Sequence, residues 1–208
     1  MYIFVFIYSH LYGKSEKFSA LHTVWKLFTV GMKYQLPNIL HSGKEYIKLI
    51  ELSEDDFWDV VEYNLFSHPL FSDKMHECLK EFTEKLIFSE KFFSAPEEFI
   101  DELLQMDELS IDENGLLLAV TEWAYRNIEE AKSENLMKFY KHIRFGTLKY
   151  CEFSDFIRCY PDAIDKKSTD EIRDYLCSTA VPSLPEWCST NHVLRRNTFL
   201  TQKRLQGS

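Results

Sequence analysis

The sequence predicts an all-α fold, a repeat-like array of antiparallel helix pairs. Three observations carry that expectation. Apolar residues recur at spacings of three and four over most of the chain, the period of an amphipathic helix. Capping and helix-breaking residues separate these stripes at short intervals. Only six glycines and six prolines stand among 208 residues, poor in turn formers for an all-β protein. No alternation suggests a strand outside residues 3–8.

The opening run, MYIFVFIYSHLYG, places seven apolar residues after Met1. It lacks the basic start and small-residue cleavage site of a signal peptide, and it is far too short to span a bilayer. It reads as a buried strand or the start of a buried helix, in a chain expected to continue upstream. Ser19 opens the first helical stripe, Leu21, Val24, Trp25, Phe28 and Met32. Pro37 cannot continue that helix but suits the first turn of the next. The second helix carries Ile39, Leu40, Tyr46, Ile47 and Ile50. Ser53 caps a third, with acids in its first turn against the positive dipole end. Phe57, Val60, Val61 and Leu65 form its inner face. After a loop at His68-Pro69, Ser72 caps a fourth helix, with Met75, Leu79, Phe82 and Leu86 inward. Ser94 and Glu97 are spaced as a capping box around Pro96. The helix that follows them carries Phe99, Ile100, Leu103 and Leu104.

The segment FIDELLQMDELSIDENGLLLAVTEWA, residues 99–124, crowds acids on both sides of a break. Either carboxylates do chemistry here, or a turn joins two helices and the acids are solvated. Asp112 caps a helix whose stripe is Leu117, Val120, Trp123, Ala124 and Ile128. Asp101, Glu102 and Glu113 fall off the stripes or near helix starts. Asp107, Glu108, Asp112 and Glu113 therefore read as turn and cap residues, because a catalytic pair needs a cleft and polar partners that no motif supplies. Trp123 reads as core. Gly115 costs up to about 1 kcal/mol relative to alanine in a helix, with no role evident from its neighbours. Further helices are expected from Ser133 to about Ile143, near residues 151–158, and from a cap at Ser168 or Thr169. His142 reads as a residue at a helix C-terminus. Past Ala180 come two prolines and a polar, basic tail.

The net charge of −9 is unevenly spread. Beyond Glu186 there are four bases (Arg195, Arg196, Lys203 and Arg204) and no acid, so residues 1–186 carry a net of −13. An acidic body repels phosphate backbones, which argues against nucleic acid as a partner. The tail reads as disordered and solubilising. Five cysteines, an odd number without C-x-x-C spacing, favour a reducing compartment. Cys188 and His192 make only a half-site for zinc, so no metal or other cofactor is expected.

Several motifs resemble a known family in order and spacing. FVFIYSHLYG, GMKYQLPNIL and GKEYIKLI are similar to the C-terminal end of a BTB (POZ) domain, KYQLPNIL at residues 33–40 being the most specific. Gly43 stands about where many members place cysteine. FFSAPEEFIDELLQMDELSIDENGLLLAVTEWA resembles the hallmark of a BACK domain over Asp107, Leu109, Ile111, Glu113, Ala119, Val120 and Trp123. IRFGTLKYCEF, residues 143–153, is similar to a later motif of that domain, with Gly146 in place of proline.

The resemblance implies the end of a BTB domain at residues 1–50, a BACK domain at 51–180 and a tail at 181–208. It implies that the upstream three-quarters of BTB, with most of the dimer interface, is missing, as is any kelch-type repeat downstream. The chain would then be a fragment, an isoform or a degenerate copy. Proteins of this kind act as substrate adaptors of ubiquitin ligases built on cullin-3. They do no chemistry, so no catalytic, cofactor-binding or metal-binding residue is expected. The cullin groove would be built from about residues 36–90, with Tyr46, Leu49, Phe57, Trp58, Val61 and Leu65 near it and Trp58 partly exposed as an anchor. The partners implied are cullin-3 and an unidentified substrate, without nucleic acid or membrane, in the cytoplasm or nucleus. The alternative is a BTB–BACK helical scaffold with no ubiquitin-ligase role.

Overall fold

The computed structural model describes residues 21–49, 51–129, 131–177 and 183–189. Among them the chain forms α-helices and two short 3-10 turns, and no strand. The helices are α1 (Leu21–Lys33), α2 (Pro37–Leu49), α3 (Glu54–Glu62), α4 (Ser72–Ile87), α5 (Glu97–Gln105), α6 (Glu113–Asn127), α7 (Ser133–Tyr140), α8 (Tyr150–Cys159) and α9 (Lys166–Cys177). The all-α class is the one expected. The expected element at residues 3–8, the cap at Ser19 and most of the basic tail lie outside the described residues. The chain divides into two compact units, Met1–Glu77 and Cys78–Ser208.

In the first unit α1 packs against α2 and α3. The chain reverses between α1 and α2 through a Schellman closure. Leu36 N–H donates to the Gly31 carbonyl at 2.8 Å and Gln35 N–H to Met32 at 3.3 Å, with Gln35 left-handed at φ 53°. Pro37 then begins α2, where its missing N–H costs nothing. The same closure ends α3: Leu65 N–H donates to Val60 at 2.9 Å and Asn64 N–H to Val61 at 3.0 Å, with Asn64 at φ 54°. Leu65 and Val60 are both buried, as the apolar pair of this motif usually is. At Gly43 an added Cβ would stand 3.3 Å from the Phe28 ring. A side chain there would press α2 off α1. The His68 ring lies 5.3 Å from Trp25 and 6.2 Å from Phe71, both edge-on, closing an aromatic cluster under the loop after α3.

Ser53 caps α3 as expected, in a full capping box with Asp56. Along α1 the stripe holds at Val24 and Phe28, whereas Met32 is exposed in the last turn.

α4 departs from its expected face. Phe82 is non-helical (φ −125°, ψ 16°) and 49% exposed, while Thr83 is fully buried. Thr83 N–H donates to Ser110 Oγ at 2.8 Å, its own hydroxyl donates to the Leu79 carbonyl, and Ser110 N–H donates back to Thr83 Oγ1 at 3.3 Å. A local break in the helical ladder thus turns Phe82 outward, Thr83 inward, and satisfies both backbones.

Three expected caps move. Ser72 is the first residue of α4 rather than its cap. Ser94 ends the 3-10 turn Phe92–Ser94, and Pro96 is the N-cap of α5 without a side-chain bond. No Ser94–Glu97 box forms, because the extended Pro96 starts the helix two residues later; the Glu97 carboxylate instead pairs with Lys138. For α9, Asp165 takes the capping position expected of Ser168 or Thr169. Its carboxylate accepts Ser168 N–H at 3.0 Å and its carbonyl accepts Thr169 N–H at 2.9 Å, leaving both hydroxyl residues buried. α7 ends at Tyr140 rather than Ile143, followed by a turn in which His142 N–H donates to the Phe139 carbonyl.

The second unit is packed with aromatic rings. Trp123 stands edge-on to Phe139 at 5.3 Å and donates its indole N–H to the Ala95 carbonyl at 2.9 Å, a core residue as expected. Tyr140, Phe145, Phe153 and Phe156 meet at right or shallow angles between α7, α8 and the turn Phe145–Thr147. Residues 183–189, within the span expected to be solvated tail, pack on this layer. Trp187 lies edge-on to Phe145 at 5.6 Å and donates to Ser168 Oγ at 3.1 Å, and Cys188 is buried.

Two measurements test these local features. Gln35→Gly removes a side chain from a left-handed residue and should raise stability by about 1 kcal/mol in urea unfolding; Gln35→Val should lower it. The Ser168 hydroxyl and N–H hold the Asp165 carboxyl below its ordinary 3.8. The folded value lies under the unfolded one, so this stabilisation is complete above 3.8 and fades as pH falls through the folded value. Asp165→Asn should flatten the acid limb of the stability–pH curve and leave the neutral limb's slope unchanged.

Candidate interaction surfaces and the acid-rich turn

The acids of residues 107–113 meet partners within the fold. Each is taken up by a structural partner. Asp112 caps α6 by accepting Gly115 N–H at 2.7 Å. Glu108 pairs with Lys80. Asp107, half exposed, pairs with the Arg144 guanidinium, whose side chain is only 5% exposed. Glu113 corrects the expectation of a solvated acid: it is 7% exposed, and its Oε1 accepts the backbone N–H of Arg144 at 2.7 Å. The start of α6 and the turn before α8 are therefore tied through one residue by both its backbone and its side chain. Such a buried cation needs its carboxylates in place, because solvent no longer screens it.

Gly115 now has a reason. An added Cβ would come within 2.9 Å of Ile111 Cδ1 and 3.1 Å of the Asp112 carboxylate. Ile111 and Leu116 hold the N′ and N4 positions of α6 and are both buried, the arrangement of a hydrophobic staple. The glycine keeps that space open.

Among the described residues no cluster of three or more His, Cys, Asp or Glu side chains is placed to hold a metal. Burial, aided by the charge of Glu171, pushes the Cys188 thiol up to about 12, far from a nucleophile's range. Burial and the Glu122 carboxylate it donates to likewise raise the Tyr160 phenol. No helix among the described residues is long and apolar enough to cross a membrane.

The six residues expected near a cullin groove separate into two groups. Phe57, Val61 and Leu65 are core, and so is Trp58, which at 5% exposure is not the partly exposed anchor expected of it. α3 buries Phe57, Trp58, Val60 and Val61 within nine residues, more than one narrow stripe. Leu49, at the end of α2, is 83% exposed, and Tyr46 one turn before it is half-buried. Met32 and Tyr34, at the end of α1, are exposed in the same unit. In the second unit the exposed large apolar residues are Phe82, Phe88, Tyr125 and Tyr150.

The described residues form a helical body in which the acids of residues 107–113 serve its own caps and ties. Residues 64–158 match the family model of BACK, described as BTB And C-terminal Kelch. The matched span runs from the closure of α3 to the end of α8 and includes Asp107, Glu113 and Arg144. The BTB part of the resemblance rests on the sequence motifs alone. A comparison with curated proteins finds no match.

Glu113→Ala would leave the buried Arg144 N–H without this acceptor and should cost about 1–3 kcal/mol in urea unfolding. Glu113→Gln, which keeps an acceptor oxygen, should lose less than half as much.

Proposed function

We propose that this chain works by presenting helical surfaces to other proteins, as a substrate adaptor of a cullin-3 ubiquitin ligase or a regulator of one. The observation that carries the reading is the BACK match over residues 64–158, on a body whose acid-rich turn, residues 107–113, is engaged in caps and ion pairs. The cullin contact falls on the exposed end of α2. Leu49 supplies the apolar contact with Tyr46 beside it, and Phe57, Trp58, Val61 and Leu65 support them from within the unit. The partners are cullin-3 and an unidentified substrate, in a reducing compartment, cytoplasm or nucleus, where the five free cysteines persist.

Binding of the purified chain to cullin-3, alone and as a version extended upstream to a complete BTB domain, tests the proposal. Leu49→Asp should weaken association by at least about tenfold, as loss of an interface anchor does, with almost no change in thermal midpoint. Trp58→Ala is unsuitable as a surface probe, since emptying that buried site costs about 3–5 kcal/mol. An extended version that binds no cullin-3 sinks the adaptor reading.

A second reading, a helical scaffold with no ubiquitin-ligase role, draws support from the burial of four of the six expected contact residues. It predicts that neither version binds cullin-3.

A further inference from the structure

A cleft of about 620 Å³ lies in the second unit between α9 and the segment after it. One wall is a single face of α9, carrying Lys167, Ser168, Glu171 and Asp174; the other is Leu184, Pro185, Glu186 and Trp187. Three carboxylates thus face one ammonium. Lys167 sits 3.7 Å from Glu171 and offsets it in part. Among the described residues no ion pair or hydrogen bond engages Asp174 or Glu186. Both are exposed.

The aromatic wall is held in place. Trp187 is anchored by its N–H to Ser168 Oγ at 3.1 Å and by its edge-on contact with Phe145. Ser168 is in turn tied to Asp165. The indole is half-buried and cannot swing away without breaking both contacts. Carboxylates beside a fixed indole suit one kind of ligand group above others. A guanidinium is planar, weakly hydrated, stacks on an aromatic face and divides its donors between carboxylates. An ammonium can use the charges but matches neither the fork nor the plane.

We propose that the cleft between α9 and Trp187 docks an arginine-bearing peptide segment of a partner protein. Charge complementarity selects the occupant, and half-buried Leu184 supplies apolar contact beside the arginine. This site is separate from the α2 surface assigned to cullin-3, so either reading can fail alone.

The probe is an acetylated, amidated tetrapeptide of glycine, arginine, arginine and glycine, titrated into the full chain. The readout is the indole N–H resonance of Trp187, assigned by its loss in Trp187→Phe. The expected result is a saturable shift, with the lysine counterpart of the peptide several-fold weaker. The double variant Asp174→Asn, Glu186→Gln should weaken binding about tenfold while the circular dichroism spectrum is unchanged, as expected where charge-assisted contacts become neutral ones. Three outcomes would overturn the proposal. One is no saturation, and another is equal binding by the double variant. The third is binding that appears only when Arg195 and Arg196 are replaced by serine, which would give the cleft to the chain's own bases.

Discussion

The tie between Glu113, Arg144 and Asp107 is the constraint on which the second unit depends. Arg144 lies between α7 and α8, in the stretch that sends Ile143 and Phe145 into the aromatic layer on either side of it. A buried guanidinium is tolerable there because the Asp107 carboxylate meets it from the turn before α6, while Glu113, the first residue of α6, accepts the Arg144 backbone N–H. The same acids begin α6 correctly. Asp112 fixes the first turn, Gly115 leaves room for Ile111, and Glu113 faces inward to receive a backbone N–H. Capping, packing and charge compensation are therefore one piece of geometry, and shifting α6 by a single residue would break all three.

Thr83 and Ser110 do similar work without charge. The broken turn at Phe82 frees a backbone donor, and a side chain 27 positions later accepts it. Both α4 and the acid-rich turn are thus fixed by polar groups that are buried and satisfied. That costs little net energy but excludes alternative registers, since any slip leaves a buried donor without its acceptor. Apolar packing alone, which tolerates exchange between similar shapes, would specify the arrangement less sharply.

How much was legible in the sequence follows the range of each interaction. Ser53 and Asp112 were readable as caps because their partners lie three residues away. The stripes of α5 and α6 were readable because periodicity is local. Phe82 was misplaced because the helical period runs on through it; at the kink the Thr83 N–H turns to Ser110, which no local pattern connects to it. Arg144 appeared only as one letter of a motif, its carboxylates 31 and 37 positions upstream. The sign that would have found it is a lone arginine between Ile143 and Phe145, a cation that an apolar stretch cannot hold unpaired. Trp58 was judged by a single stripe, whereas α3 is short and buried over a wide arc. Ser94 had the right spacing for a box, but Pro96 set the helix start.

The buried Cys188 has a use of its own. Cys151, Cys159 and Cys177 are exposed and Cys78 is half-buried, while Cys188 lies under the surface beside Trp187. In Cys78→Ser a thiol reagent will consume the exposed three at once and reach Cys188 only in the moments when residues 183–189 come away from the aromatic layer. The slow phase of alkylation is therefore a clock for that opening, separable from global denaturation. The molecule carries its own gauge of how firmly the segment after α9 is seated.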